Sequence, residues 1–303
     1  MGKKGKRSGK TGGGGGSKAA AKPKQGPGKA RRERAAALRE IDARLDALIA
    51  KLDEELRDAE LFGPPEERAE CDICFVPMPL ERKERAYVSC CGKEACAACA
   101  LKTDEMGHST CPFCRAPVVG LNDEVQALQL RNRVESGDAK AMLILAETYN
   151  TGENGVQKDE VAAVRLLLQA AELGHTRALV VLARRHLLTE YEVRTTMEQS
   201  MKLAKAAAKK GSVTGHQVLG LLINKARDDL DLDQAMKHFV HAAIGGDAPS
   251  FKVLCEMRDA AGERLDAFLG QEFQDTFDGI EAKHKEALAL EWSEEREATK
   301  KWL

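Results

Sequence analysis

Apolar residues recur at every third or fourth position in the segment that begins at Ala35. The positions are Leu38, Ile41, Leu45, Leu48, Leu52 and Leu56. Charged residues fill the intervals, and Gly63-Pro64-Pro65 ends the pattern. This spacing predicts an amphipathic helix over residues 35–62. The apolar stripe covers only about three heptads, which leaves two alternatives open: the helix folds back onto the next domain, or it forms a coiled-coil homodimer.

A second pattern occupies residues 137–258, where the sequence repeats itself. Glycines recur at Gly137, Gly174, Gly211 and Gly246, at separations of 37, 37 and 35 residues. A leucine stands eight positions after each glycine, and alanine pairs stand shortly before three of them: Leu145, Leu182, Leu219, Leu254, Ala170-Ala171, Ala207-Ala208 and Ala242-Ala243. A period in this range indicates a helical array. Each unit is predicted to be a helix, a loop, a second helix and a glycine turn, and the units stack into a solenoid.

Helical segments flank the repeats on both sides. Residues 119–136 are predicted to form a linker helix that Asn122 or Asp123 caps. Residues 259–303 are acidic, and their apolar residues have helical spacing, at Leu265, Phe268, Leu269, Phe273, Phe277 and Ile280. They are expected to form a helical cap on the last repeat.

The composition agrees with a mostly α-helical fold. Hydrophobic residues make up 43% of the 303 residues but aromatic residues only 4%, and runs rich in Ala and Leu favour close-packed helices over a sandwich or barrel. No apolar run is long enough to span a bilayer, and the N-terminus lacks the apolar stretch of a signal peptide. An intracellular protein, cytoplasmic and/or nuclear, without a membrane partner is therefore expected.

The formal net charge of -1 conceals a strongly basic N-terminus. Residues 1–34 contain twelve Lys and Arg but one acidic residue, and they offer almost nothing to bury. This segment is predicted to be a disordered basic tail. Such a tail could bind nucleic acid or direct nuclear import, although lysine-glycine tails are more often solubilising segments.

Eight of the nine cysteines lie within residues 66–118. They are Cys71, Cys74, Cys90, Cys91, Cys96, Cys99, Cys111 and Cys114. A tight cluster in an intracellular chain points to metal binding rather than disulfides. Zinc takes four ligands in a tetrahedron, and a CxxC turn can give two of them to one ion, so eight thiolates predict two closed zinc sites.

The order of the cysteines resembles that of the RING finger of ubiquitin ligases. The resemblance implies a cross-brace, in which ligand pairs one and three share one ion and pairs two and four share the other. One zinc would then be held by Cys71, Cys74, Cys96 and Cys99, and the second by Cys90, Cys91, Cys111 and Cys114.

The second ligand pair departs from the common RING pattern. Most RING fingers have a histidine two residues after a Cys-Gly, where this chain has Lys93. An all-cysteine RING subtype has a cysteine before a glycine, which Cys91 matches, and Cys90 would complete the pair. His108 is the alternative ligand.

The RING resemblance also implies a contact surface for a ubiquitin-conjugating enzyme. The matching positions are Ile73 within CDIC, Pro112 within CPFC, and Arg115 after the eighth ligand, where an arginine often bridges the conjugating enzyme and ubiquitin. The helix between the sixth and seventh ligands offers only Leu101 and Met106 as apolar contacts, which suggests weak or selective binding.

The first repeat resembles the Sel1-like repeat, a helical-pair repeat of protein-interaction solenoids. The match is carried by Ala141, Leu145, Ala146, Tyr149, Gly152, Gly155, Val156, Asp159, Ala163, Ala170, Ala171 and Gly174. Together, the two resemblances imply a RING-type E3 ubiquitin ligase that acts without a covalent intermediate and binds a substrate or partner through its repeats. The alternative is a non-catalytic zinc-binding scaffold.

Overall fold

The computed structural model describes residues 27–290, except residues 58, 108, 118–122, 154, 190, 227–231 and 274. Its helices are α1 (Pro27–Glu55), α2 (Ala97–Glu105), α3 (Asp123–Glu135), α4 (Ala139–Thr151), α5 (Glu160–Glu172), α6 (Thr176–Arg184), α7 (Met197–Lys209), α8 (Val213–Ala226), α9 (Leu232–Ile244), α10 (Ala248–Glu272) and α11 (Phe277–Ala289). Strands β1 (Arg85–Val88) and β2 (Lys93–Cys96) form an antiparallel hairpin. The predicted mostly helical fold, with a small cysteine-rich module followed by a helical solenoid, is confirmed.

The repeats form successive helical pairs, α4–α5, α6–α7 and α8–α9, and neighbouring helices pack against each other in chain order. Their apolar side chains belong to one continuous core. Small residues allow close approach: a Cβ on Gly215 of α8 would lie 2.9 Å from the Ala207 side chain of α7. The alanines of the second helices are therefore contact residues between units.

The glycine turns share one hydrogen-bonding pattern. At the first complete unit, the amide of His175 donates to the carbonyl of Ala170 at 3.0 Å, and the amide of Gly174 donates to that of Ala171 at 2.9 Å. This is the Schellman arrangement, which requires a left-handed residue at the glycine position. All four repeat glycines adopt the left-handed conformation, with φ of 84° at Gly137, 85° at Gly174, 80° at Gly211 and 95° at Gly246.

Helix α1 begins at Pro27, earlier than the predicted start at Ala35. The predicted disordered tail is thus helical from residue 27 onward, and its first 26 residues lie outside the described part of the chain. Proline suits the first turn of a helix, and Lys29 and Glu33 form an i,i+4 pair. Arg34 also donates to Glu192 at 2.7 Å, a contact with the chain between α6 and α7.

The apolar stripe of α1 packs on α5 and α7, the second helices of two repeats. Its buried residues are Ile41, Leu45, Leu48, Ile49 and Leu52. Ion pairs flank the stripe, with Arg44 bonded to Glu172 and Arg165 to Glu40. The stripe is covered by the chain's own repeats, as the fold-back alternative predicts, and the homodimer through residues 35–62 stays a prediction.

The predicted helix over 35–62 ends at Glu55, and residues 56–69, the connecting segment, run across the solenoid instead. Lys209 donates to the carbonyl of Leu56. The amide of Glu66 donates to the carbonyl of Gly211 at 2.9 Å, and Arg68 donates to that of Gly245 at 2.7 Å. Backbone carbonyls at two glycine turns thus accept hydrogen bonds from donors of the connecting segment.

A buried arginine organises the chain after α6, where the glycines of the first repeat's loop are missing. Arg185 is 1% exposed. Its guanidinium donates to the carbonyl of Val193 at 2.6 Å, to Asn150 at 3.2 Å and to Glu160 at 3.4 Å. Glu160 also accepts the amides of Glu192 and Val193. Side chains from two units thus hold the loop between α6 and α7 through hydrogen bonds to its backbone.

The cysteine-rich module, residues 70–117, packs on α3 and α4 through its β-hairpin. Ser89 donates to Gln129 at 2.6 Å, and Lys140 donates to Glu94 at 2.7 Å. At the other end of the solenoid, α11 packs on α9, with Ile280 buried. The part of the predicted acidic cap after residue 290 lies outside the described chain.

Candidate metal centre

The first CxxC pair lies in a tight turn at the start of the module. The amide of Phe75 donates to the carbonyl of Cys71 at 2.9 Å, and the amide of Cys71 donates to that of Val76 at 3.0 Å. An isolated bridge between Glu70 and Pro77 closes the turn. Phe75 has a φ of 59°, a left-handed conformation that folds the backbone around the two sulfurs.

The fourth CxxC pair repeats this turn almost atom for atom. The amide of Arg115 donates to the carbonyl of Cys111 at 2.9 Å, and the amide of Cys111 donates to that of Ala116 at 2.8 Å. Thr110 and Pro117 form the closing bridge. The φ of Arg115 is 61°. The module is therefore built from two equivalent turns, called here the first and second knuckles (residues 70–77 and 110–117).

The β-hairpin and α2 supply the other four thiols. Cys90 and Cys91 occupy the loop between β1 and β2, where the amide of Gly92 donates to the carbonyl of Val88 at 2.8 Å and Gly92 has a φ of 76°. Cys96 ends β2 and stands at the N-terminus of α2. The tight loop brings two adjacent cysteines to one site, which is why no spacer residue is needed between them.

The structure gathers the sulfurs into two groups of four. The first contains Cys71, Cys74, Cys96 and Cys99, and the second contains Cys90, Cys91, Cys111 and Cys114. All Sγ atoms of a group lie within 4.8 Å of one another, and each group could hold a metal ion. These are the same two groups as in the cross-brace that the RING resemblance implies.

The sulfur spacing fits a tetrahedral thiolate site. Zinc–sulfur bonds of about 2.3 Å place tetrahedral sulfurs about 3.8 Å apart. The Sγ atoms of Cys74 and Cys96 are 4.0 Å apart, and those of Cys90 and Cys114 are 3.4 Å apart. Each group also combines sulfurs from a knuckle with sulfurs from the hairpin or α2, so one ion would tie two separate chain segments together.

Electrostatics at the two groups favours a bound cation. Burial raises the pKa of Cys71, but backbone N–H groups of the first knuckle outweigh it and lower that pKa to about 7. The same balance lowers the pKa of Cys111 to about 7. Burial and then neighbouring thiols raise the pKa of Cys90 and Cys99. Four thiolates this close repel one another, and a divalent cation removes that cost.

The apolar core of the module is too small to hold the fold alone. Six residues form its buried cluster, and three of them are candidate ligands: Cys71, Cys96 and Cys99. Met78, Ala95 and Ala98 are the remaining members. Metal binding would therefore supply the main stabilising free energy of this module.

Lys93, which stands where most RING fingers have a histidine, takes no part in either sulfur group. Its ammonium lies 3.3 Å from the carboxylate of Asp72, so it links the hairpin to the first knuckle. The alternative ligand His108 lies outside the described residues. Cys90 and Cys91 both belong to the second sulfur group, which already has four members.

The residues predicted to contact a conjugating enzyme are all at the surface. Ile73 lies on the first knuckle with 36% of its surface exposed. Pro112 and Arg115 are exposed on the second knuckle. Met106, at the end of α2, is 65% exposed, whereas Leu101 is half-buried.

Sequence analysis missed Phe75, the most exposed large apolar side chain described, at 72%. It follows the second cysteine of the first knuckle, as Arg115 follows that of the second, so the spacing of the CxxC pairs could have identified it. Sequence analysis also missed the contact between the hairpin and the repeats, because that contact joins residues far apart in the chain.

No protein-family model matches the chain, and no curated protein matches it in sequence. Among solved structures, it is similar to a Sel1 repeat protein from Oxalobacter formigenes, with a TM-score of 0.41 and 21% identity, over 60% of this chain and 75% of that one. It is also similar to the immunity protein Pa5087 from Pseudomonas aeruginosa, with a TM-score of 0.31 and 18% identity, over 73% and 85% of the two chains.

Within the described ranges, no helix is both long and apolar enough to cross a bilayer. The basic tail, for which nucleic-acid binding was the less favoured interpretation, lies mostly on residues 1–26, which the structure does not describe.

Proposed function

We propose that this protein is a RING-type E3 ubiquitin ligase with two zinc ions in its cysteine-rich module. One combined observation supports the proposal. The two four-sulfur groups interleave along the chain, and the two knuckles expose Ile73, Pro112 and Arg115. An all-thiolate zinc site is coordinatively full, so the ions would hold loops in place rather than activate water.

The knuckles supply the surface on which this function depends. Ile73 and Pro112 would form a shallow apolar contact for the ubiquitin-conjugating enzyme. Arg115 would hold the enzyme and the ubiquitin it carries in a reactive orientation, because a guanidinium can donate to two carbonyl acceptors at once. The gain is orientation, and the protein needs no nucleophile of its own.

The helical repeats would select the substrate. Helix α1 covers part of α5 and α7, so a protein substrate would bind to the repeat surfaces that α1 and the connecting segment leave open. Because the hairpin packs on α3 and α4 through Ser89 and Glu94, a substrate on the repeats would be held in a defined position relative to the conjugating enzyme.

The test is discharge of ubiquitin from a panel of charged conjugating enzymes onto free lysine, with zinc-loaded full-length protein. Ile73→Ala and Arg115→Ala should each reduce discharge by at least tenfold, the equivalent of about 1.4 kcal/mol. Leu173→Ala and Arg131→Ala, which change exposed residues of the same types on the helices, serve as matched controls.

Discharge that survives the double variant Ile73→Ala/Arg115→Ala would refute the proposed mechanism. The second candidate, a non-catalytic scaffold, has one observation in its favour: α2 offers an exposed Met106 but only a half-buried Leu101 as apolar contacts. A protein that binds two zinc ions and supports discharge with no enzyme of the panel would favour the scaffold.

A further inference from the structure

Two buried histidines and one half-buried histidine surround Phe62 of the connecting segment. His216 comes from α8, and His238 and His241 come from α9. The ring centroid of Phe62 lies 5.7 Å from that of His216, 5.0 Å from that of His238 and 4.7 Å from that of His241. The ring of Phe273, the residue after α10, lies 5.5 Å from that of His241. Phe62 is thus seated in a pocket whose walls are largely imidazole.

Two of these imidazoles are bonded directly to each other. The Nδ1 atoms of His216 and His238 are 2.9 Å apart. One Nδ1 must carry the hydrogen and the other must accept it, so the bond exists only when at least one ring is neutral. A further proton on the accepting nitrogen would place two N–H groups against each other and break the bond.

Among the described residues, no carboxylate acts on the three imidazoles, so an added positive charge gains no counter-charge from them. Lys205 of α7 acts on His238 as a further cation. On α9 and α10, Lys237 and Glu272 are paired with each other. The acidic residues Glu60 and Glu66 of the connecting segment are exposed to solvent.

Burial and the neighbouring imidazoles lower the pKa of His216 to about 3. Burial, His241 and Lys205 lower that of His238 to about 4, and burial lowers that of His241. In the open form these rings would titrate near 6.5. The closed form is therefore fully favoured above pH 6.5, and it loses stability as the pH falls from 6.5 toward these lower values.

We propose that Phe62 and the three histidines form an acid-sensitive latch, which releases the connecting segment from the solenoid when the imidazoles take up protons. The release is local. Helix α1 stays fixed by its buried stripe, and the hairpin stays fixed by Ser89 and Glu94. Opening frees the covalent connection between α1 and the cysteine-rich module and uncovers the histidine-lined surface of α8 and α9 on which Phe62 is seated.

The size of the effect follows from the two histidines with the largest shifts. Between pH 7.5 and 5.5, each of His216 and His238 favours the open form by at most about tenfold, the limit reached when its pKa in that form equals the ordinary value, so opening should become up to about a hundredfold more frequent. Titration of His241 adds to this.

Amide hydrogen exchange of zinc-loaded full-length protein at pH 7.5 and 5.5 tests the latch. After correction for the pH dependence of chemical exchange, protection of the amides of residues 56–68 should fall by up to about a hundredfold. Protection of α4 should stay constant, and the zinc content of the same samples should remain at two. The double variant His216→Gln/His238→Gln should show no pH-dependent loss in residues 56–68.

Two further variants separate the latch from general acid effects. His186→Gln, which changes a half-buried histidine away from Phe62, should keep the wild-type response. Phe62→Ala should lose the protection of residues 56–68 at both pH values. The proposal is overturned if protection in the wild type does not change, if it falls together with that of α4, or if the double histidine variant responds like the wild type. Should the double variant not fold, the comparison with α4 in the wild type still decides.

Discussion

Tyr87 of the β-hairpin donates a hydrogen bond to Asp138, with 2.8 Å between their oxygen atoms. Asp138 is also the N-cap of α4, since it accepts the amides of Lys140 and Ala141, and it accepts two bonds from Arg133. One carboxylate therefore starts the first repeat and holds the cysteine-rich module against it. The close fit extends to Gly92, where a Cβ would lie 2.7 Å from the Asp138 carboxylate.

Removal of the Tyr87 hydroxyl should weaken this junction. In Tyr87→Phe, the carboxylate of Asp138 loses one donor in a half-buried position, which should reduce the free energy of unfolding by about 1–2 kcal/mol. Urea denaturation of zinc-loaded protein measures the change. Tyr149→Phe is the control, because among the described residues its hydroxyl has no hydrogen bond. Equal losses in both variants would contradict a specific role for Tyr87.

Cys90 is the ligand whose removal is most informative. Cys90→Ser should reduce the zinc content from two ions per chain to one, because three thiolates remain in the second group and a neutral hydroxyl is a poor zinc ligand. Metal analysis after gel filtration gives the stoichiometry. Cys255→Ser, which changes the ninth cysteine, should retain two ions. If Cys90→Ser still binds two ions tightly, another residue is the fourth ligand of the second group, and His108 is the first to test.

The buried pair of Glu160 and Arg185 should make the second repeat sensitive to acid. Burial raises the pKa of Glu160, but the amides of Val193 and Glu192 outweigh it and hold that pKa below 4.5. Glu160→Gln leaves the guanidinium buried without its counter-charge, so about 3 kcal/mol of unfolding free energy should be lost at pH 7.

The pH dependence distinguishes this charge effect from simple packing. The contribution of Glu160 is fully present above pH 4.5 and is lost as the pH falls below that value, since the wild-type carboxylate is then protonated. The difference between wild type and Glu160→Gln should therefore narrow below pH 4.5 in urea titrations. Glu256→Gln, at an exposed position on α10, should change stability by less than about 0.5 kcal/mol. A difference that stays constant with pH would exclude the charge effect.

Two repeat glycines with the same backbone conformation should differ in their response to alanine. Both Gly174 and Gly211 have positive φ, so a Cβ should cost about 1–2 kcal/mol at either position. At Gly174 nothing lies within 4 Å of that Cβ, whereas at Gly211 it would lie 2.5 Å from the amide nitrogen of Glu66 and 3.0 Å from the carbonyl of Pro64.

Gly211→Ala should therefore cost at least about 1 kcal/mol more than Gly174→Ala, and it should detach the connecting segment. Urea denaturation measures the first effect, and amide exchange of residues 56–68 at pH 7.5 measures the second. Unchanged exchange in Gly211→Ala would show that the segment does not depend on this contact.

Local physics made much of this protein predictable from its sequence. The alanine pairs before three of the repeat glycines, such as Ala170 and Ala171 before Gly174, are the carbonyl acceptors of the Schellman turn, so a short motif fixes where a helix ends and the next begins. The CxxC spacing likewise fixes each knuckle within eight residues. For this reason the sequence predicted the helical units and the CxxC ligand pairs, whereas the assignment of those pairs to two groups came from the RING resemblance.

Contacts between distant residues had to come from the tertiary structure. The apolar stripe of α1 is compatible with a dimer and with packing on the repeats, because periodicity shows that a helix face is apolar but does not show what covers it. The spacing of His238 and His241 along α9 does not distinguish a surface pair from a buried cluster. Only the folded chain brings His216 of α8 and Phe62 of the connecting segment to them. The sequence alone determined the elements and the metal-ligand chemistry, whereas only the tertiary structure decided their partners, because packing depends on chain paths that local spacing does not encode.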